Sequence, residues 1–257
     1  MTRFIYFTHI IVIKVVEMSV EELYESLKGL AEGEVSEKEA LEKIKRATPV
    51  EISKAEQRLV QEEDFGKEEF KNFCDVHLKA VEEEVEEMKN NLERGHPIRT
   101  LILEHEEILE ALGKLEDIGE ALKKRELTDS EKEELEHLSE HLVEAEKHHD
   151  REEEVLFPRL VKKGITGPVD IMEMDHEDMW PKKKKLKNLS KNLNKNKKDI
   201  VELIDYLVLN LRDHIFKENN ILYPSALEEL VEWDQMKKEG DEIGYCCFTP
   251  ETSQKDY

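Results

Sequence analysis

A histidine and a glutamate four residues apart occur twice in the same setting. His148-x3-Glu152-x3-Leu156-Phe157-Pro158 recurs sixty-six residues later as His214-x3-Glu218-x3-Leu222-Tyr223-Pro224. On a helix such a pair lies one turn apart and about 40° apart around the axis, so both side chains can reach one metal ion. Upstream of each copy another histidine falls on an apolar helical stripe, His105 before the first and His176 before the second. Two facing halves therefore supply four imidazoles and two carboxylates, a donor set that suits a pair of iron ions inside a four-helix bundle.

Any one of these histidines, taken alone, reads more simply as a hydrogen-bonded core residue. Glutamate is harder to explain that way, because a buried carboxylate is costly unless it is paired or bound to metal. Two glutamates on apolar stripes, each a turn from a histidine, call for a cation. Helical geometry accepts His148 with Glu152 or His149 with Glu153, but only His148 and Glu152 keep the ten-residue distance to proline found in the second copy. His141, two turns before His148, is expected to support it or to line an access route, and His137 and His96 to be structural. The pairs Glu146-x-x-His149 and Glu173-x-x-His176 fit a ferritin-like Glu-x-x-His pattern, but that scheme leaves His105 and His214 idle. Cys74 and His77 stand three apart and read as a buried thiol beside a core histidine.

The elements that must position these residues are helical throughout. Charged residues make up 39% of the 257, with ten glycines and seven prolines, a composition typical of all-α proteins. The formal net charge of −23 argues against duplex nucleic acid as a partner. The apolar stretch Phe4–Val16 carries His9 and Lys14 and is too short to span a bilayer. Residues 1–17 read as an upstream extension or disordered tail, with translation starting at Met18. Three cysteines, Cys74, Cys246 and Cys247, make no disulfide framework, which points to a reducing, cytoplasmic setting.

Residues 18–94 read as a domain of short helices. Capping boxes at Ser19–Glu22 and Ser36–Glu39 open two of them; a third starts at Thr48-Pro49, and a longer one spans Lys67–Glu93. Residues 95–238 carry four long helices. The first runs from Pro97 to about Lys124. The second opens at Ser130-x-x-Glu133 and ends before Gly164, and the third begins after Gly167-Pro168. The fourth runs from about Lys198 to Pro224. Pro181 is expected to kink the third helix near His176. The lysine-rich run 182–198 reads as a solvated helix face and loop, and only secondarily as an anion-binding patch, and 239–257 as a loose tail.

The repeated motif with its Leu-aromatic-Pro ending resembles the halves of hemerythrin-like (HHE cation-binding) domains, and residues 97–235 cover that domain. Residues 20–94 resemble an uncharacterised helical domain often found in front of such bundles, through Phe73-Cys74-Asp75-Val76-His77 and the Gly95-His96-Pro97 junction. Oxygen-carrying hemerythrins place a second histidine where this chain has Met172, and an aspartate five residues after a histidine where this chain has Glu218 at four. The four-His, two-Glu set is closer to di-iron proteins that repair iron-sulfur centres after nitrosative stress. Those carry an N-terminal di-cysteine, whereas Cys246-Cys247 lies at the opposite end.

The resemblance implies an up-down four-helix bundle holding two non-haem irons. His105 and His148 would bind one, His176 and His214 the other, with Glu152 and Glu218 bridging at about 3.5–4 Å separation. The expected function is an oxygen-, nitric-oxide- or redox-responsive module. The alternatives are an enzyme that reduces nitric oxide or oxygen or repairs iron-sulfur centres, and a metal-stapled structural bundle. A small diatomic ligand is the expected partner, with neither nucleic acid nor membrane involved.

Overall fold

The computed structural model describes residues 19–31, 34–44, 46, 55, 58, 85–248 and 250. The expectations for residues 1–17, for the helix from Thr48, for Cys74 and His77, and for most of Lys67–Glu93 lie outside them. The chain divides into two units, 1–80 and 81–257.

In the first unit, α1 (Val20–Ala31) and α2 (Glu37–Ile44) both start where the capping boxes place them. Ser19 Oγ accepts from the Glu22 N–H at 3.2 Å while Glu22 accepts from the Ser19 N–H at 3.1 Å. Ser36 and Glu39 repeat the exchange at 3.3 and 3.2 Å. These bonds satisfy donors that a helix start otherwise leaves open. Leu23, Tyr24, Leu27, Ala40 and Ile44 are buried.

The second unit is an up-down four-helix bundle, and no strand occurs among the described residues. Its first long helix, α3 (Pro97–Lys124), is capped by His96, whose Nδ1 accepts from the Ile98 N–H at 3.2 Å, with Pro97 in the first turn. Next come α4 (Asp129–Glu144), α5 (Glu146–Arg151), a wide π-turn at Glu152–Leu156, and α6 (Phe157–Lys162). Helix α7 (Gly167–Ser190) leads into α8 (Leu193–Lys217), a second π-turn at Glu218–Leu222, and α9 (Tyr223–Glu229). A last helix, α10 (Trp233–Ile243), lies against α3 and α5. The long helices close a ring in which α3 neighbours α4 and α8, while α7 neighbours α4 and α8. None of the described helices is long and apolar enough to cross a membrane.

Several expectations need correction. The second bundle helix opens one turn-fraction earlier than Ser130, because Thr128, not Ser130, makes the capping box, with Glu131. It is also not continuous to Lys163, since it breaks at Ala145 and widens at Glu152. Its end is as expected: Gly164, at φ 87°, follows α6. The Ile165 N–H bonds the Leu160 carbonyl at 3.0 Å and the Gly164 N–H the Val161 carbonyl at 2.9 Å, a glycine-terminated close. Pro181 lies inside α7, which continues to Ser190. Pro181 and Glu177 both face solvent, so the carbonyl that lacks a donor meets water. The lysine run is helical in part, as expected, but Lys183 is buried, not solvated. Residues 239–243 are helical rather than loose. The Arg159 guanidinium meets Glu239 at 2.8 Å, and Arg151 lies over the Tyr245 ring at 4.6 Å.

Two apolar blocks fill the bundle. One takes in Leu112, Leu115, Leu135, Leu186, Ile200 and Leu207 among others. The other takes in Ile98, Ile102, Phe157, Val169, Leu222 and Tyr223. His105, His148, His176 and His214 each fall along their helices where one block gives way to the other. The histidines thus form a polar layer between two oily ones.

Helix α3 carries two glycines with opposite expectations. A Cβ on Gly119 would meet Ile204 Cγ2 at 2.9 Å, whereas one on Gly113 meets nothing within 4 Å. Gly119→Ala should cost about 1–3 kcal/mol through overpacking against a β-branched neighbour. Gly113→Ala should add about 0.4–1 kcal/mol. Urea titrations of the two variants followed by circular dichroism test this; stabilisation by both would contradict the close α3–α8 approach.

Candidate metal centre

Each π-turn starts on a motif glutamate. The Phe157 N–H bonds the Glu152 carbonyl and the Tyr223 N–H bonds the Glu218 carbonyl, five residues back in each case. In a continuous α-helix the ring of Pro158 would collide with the carbonyl of Glu154, and that of Pro224 with the carbonyl of Asn220. Widening by one residue relieves both clashes. It leaves Glu152 and the following Leu156-Phe157 buried together, as it does Glu218 and Leu222-Tyr223. Wide turns of this kind commonly mark functional positions.

All six expected residues converge. His105 Nε2 and His148 Nε2 are 3.1 Å apart, and His176 Nε2 and His214 Nε2 are 2.9 Å apart. Glu218 lies between the pairs, with Oε2 2.9 Å from His105 Nε2 and Oε1 2.9 Å from His214 Nε2. Glu152 Oε2 is 3.7 Å from both His148 Nε2 and His176 Nε2. All six are at most 2% exposed. His105, His148 and Glu218 make one group able to hold a cation, and His176, His214, Glu152 and Glu218 another.

The outer nitrogen of every imidazole is tied. His105 Nδ1 donates to Asn219 Oδ1 at 2.9 Å and His148 Nδ1 to Glu104 Oε2 at 2.9 Å. His176 Nδ1 donates to Glu153 Oε1 at 2.7 Å and His214 Nδ1 to Asp175 Oδ2 at 3.2 Å. Carboxylate and amide oxygens only accept, so these bonds put the proton on Nδ1 and the lone pair on Nε2. Four lone pairs then face inward in close pairs, an arrangement that a cation resolves. Glu152 Oε2 and both oxygens of Glu218 are buried and accept no hydrogen bond. The residues present fit a pair of metal ions.

Burial and neighbouring charge pull the groups of this layer in opposite directions. Burial pushes Glu152 well above the usual carboxylate range, and the Glu218 charge adds to this. For Glu218 burial is outweighed by His214, His105 and His176, which hold it well below that range. Burial holds His148 down at about 4 despite its bond to Glu104. His214, against the pull of burial, is raised to about 9 by Glu218 and Asp175. Tyr223 donates to Glu152 Oε1 at 2.8 Å and lies 3.3 Å from both His105 Nε2 and His148 Nε2.

The acceptors Glu104, Glu153, Asp175 and Asn219, and the Tyr223 hydroxyl, escaped the sequence reading. A signal for them exists. An acid precedes the first histidine of each half, in Glu104-His105 and Asp175-His176, and serves the second histidine of that half. The residue after each motif glutamate, Glu153 or Asn219, serves the first histidine of the other half.

His149 lies beside the cluster. Its Nδ1 is 3.1 Å from Glu146 Oε1 and its ring stacks on His176 at 3.8 Å. It forms a further potential cation group with His176 and His214. Glu146 and His149 of the ferritin-like pattern do touch, but Glu173 is exposed. His141 supports no imidazole of the cluster. Its Nε2 lies 3.3 Å from Cys247 Sγ; the Cys246 thiol, 2.8 Å from Cys247 Sγ, and then His141 lower the Cys247 thiol to about 6 against the effect of burial. His96 packs against Trp233 with the rings tilted and their centroids 4.5 Å apart, besides capping α3. An acidic cleft of about 440 Å³, lined by Glu146, Asp150, Glu153 and Trp180, borders His176.

Of the four acceptors, Glu104 takes the most bonds. It takes the His148 N–H, the Arg151 guanidinium and, at 3.3 Å, the Cys246 backbone N–H. Burial is overcome by these partners, and its pKa falls from 4.5 to about 2. The ionised form is therefore favoured in the folded state, so its stabilisation is complete above pH 4.5 and is lost as pH falls toward about 2. Glu104→Gln should cost about 1.5–3 kcal/mol at pH 6.5, with the gap narrowing as pH drops below 4.5. Urea titrations of chelated wild-type and variant protein across that range measure it, and a gap that widens in acid would contradict the assignment.

The family model of the hemerythrin HHE cation-binding domain matches residues 96–226, half of the chain. A family of unknown function, DUF438, matches residues 21–87. The iron-sulfur cluster repair protein YtfE of Salmonella typhimurium is 32% identical over 102 residues, covering 36% of this chain and 43% of that protein. Proteins of the same name from Salmonella schwarzengrund and Salmonella paratyphi B are 31% identical over 102 residues, with the same coverage. The matched stretch spans less than half the length of these relatives. With its duplicated motif on four helices and its cluster of inward imidazoles, the chain belongs to the hemerythrin HHE cation-binding family.

Proposed function

We propose that the bundle holds two iron ions and uses them in the repair of iron-sulfur centres. The observation that carries the metal reading is the set of four Nε2 lone pairs facing inward, each fixed by a bond from Nδ1. His105 and His148 would hold one ion and His176 and His214 the other. Glu218, with one oxygen toward each pair, and Glu152, at 3.7 Å from a histidine of each, would lie between them. When bound, such a pair supplies two adjacent redox-active centres with positions open to a small ligand.

The chain's own residues set the terms of that chemistry. The acceptors fix ring orientation and raise imidazole basicity. Tyr223 holds one oxygen of Glu152 by donating to it. The two apolar blocks flank the layer on either side. The repair role is supported by the names of the YtfE relatives, through a match over part of their length. Sensing of oxygen or nitric oxide, which rests on domain order alone, ranks second.

Full-length protein from iron-replete culture should contain about two irons per chain. Glu152→Gln should retain about half of that or less, since it removes a charge shared by both ions. Glu153→Gln should stay near wild type, because its amide oxygen can still accept from His176. Elemental analysis decides, and equal retention in the two variants would sink the assignment of Glu152. Added to an iron-sulfur enzyme inactivated by nitric oxide, the loaded protein should restore activity. Restoration no better than that given by free ferrous iron would remove the repair reading and leave the metal site standing.

A further inference from the structure

Lys183 is the one lysine of its run that is buried, at 1% exposure. It stands two turns beyond His176 on α7 and lines a small cavity together with His105, His148, His214 and Glu218. That cavity has room for about one water-sized molecule, at roughly 10 Å³. Its remaining wall is apolar, formed by Ile108, Leu142, Ala145, Leu211 and Ile215, apart from His149. A cation in such a place is costly unless it is well paired.

Its pairing is incomplete. Lys183 Nζ lies 3.2 Å from Glu146 Oε2 and 3.5 Å from His149 Nδ1. His149 Nδ1 is 3.1 Å from Glu146 Oε1, and since a carboxylate only accepts, that nitrogen carries the proton and cannot accept from the ammonium. An ammonium has three donors. Glu146 takes one, and no other acceptor for the rest stands among the described contacts. The remaining N–H groups belong to a side chain on the wall of the cavity that the four-histidine layer also borders.

We infer that Lys183 forms, with the metal pair proposed above, a subsite for small anions. An anionic ligand seated in the cavity would meet metal charge on one side and the spare ammonium donors on the other. A neutral diatomic ligand would gain far less from the lysine. Glu146 holds the ammonium in place and compensates its charge while the cavity holds no anion. The inference rests on the di-iron reading but makes a separate demand on it, namely that the open positions face Lys183.

The test uses iron-loaded, full-length protein with fluoride, a water-sized ion, as the anionic probe and nitric oxide as the neutral one. Lys183→Met keeps length and apolar bulk while removing the charge. It should bind fluoride roughly 10- to 100-fold more weakly than wild type, the range expected for a lost charged hydrogen bond. Iron content and nitric oxide affinity should stay at wild-type values, and Lys183→Arg should recover most of the fluoride affinity. Unchanged fluoride affinity in loaded Lys183→Met would overturn the inference. So would an equal loss for both probes, which marks a structural role. Should Lys183→Met fail to hold iron, Glu146→Gln decides: it removes the negative charge that competes for the ammonium, so fluoride binding must hold or strengthen, and weakening overturns the inference. Wild-type protein that takes up no iron would instead overturn the metal reading itself.

Discussion

Everything in the bundle answers to one constraint: four imidazole N–H groups must each find an acceptor on the outside so that four lone pairs can face inward. Asn219, Glu104, Glu153 and Asp175 meet that demand across helices, each binding a histidine on a different element. The bonds therefore position the histidines and also hold α3, α7 and the segments around both π-turns together. A buried layer this polar is tolerable only when it is fully satisfied. The apolar blocks on either side supply the burial that offsets its cost.

The two π-turns show how local chain chemistry serves that layer. A proline ten residues after the histidine cannot continue an α-helix without a clash. The chain widens at the glutamate, and the wide turn brings the aromatic before proline to the layer's edge. At one edge it is Tyr223, which donates to Glu152. At the other it is Phe157, which packs 5.9 Å from the His176 ring and has no hydrogen to offer.

Much of this was legible in the residue spacing. The duplicated His-x3-Glu pattern and the stripes around His105 and His176 led to the six residues that meet in the structure, because helical periodicity carries side-chain direction. Glycines, prolines and capping boxes marked most helix ends for equally local reasons. Glu104 and Asp175 were missed because each works on a histidine far along the chain while sitting next to a different one. Lys183 was missed because a run of like charges reads as solvated, and only packing shows which member turns inward. Residues 239–243 were misjudged as loose because Gly240 reads as a breaker. Here it lies buried within α10, beside Arg151.

The exchange of acceptors between halves has a consequence for how such a molecule can vary. Glu153 of the first half completes His176 of the second, and Asn219 of the second completes His105 of the first. Two identical half-length chains meeting about a twofold axis could make the same layer, since an isologous contact pairs each residue with its counterpart's partner. Such a dimer would have to carry Glu at both acceptor positions or Asn at both, and Phe or Tyr at both edges. Joining the halves in one polypeptide lifts that restriction. A single chain can hold one pair of histidines with an amide and a phenol nearby and the other with two acids, a polarity that no symmetric pairing of identical halves can encode.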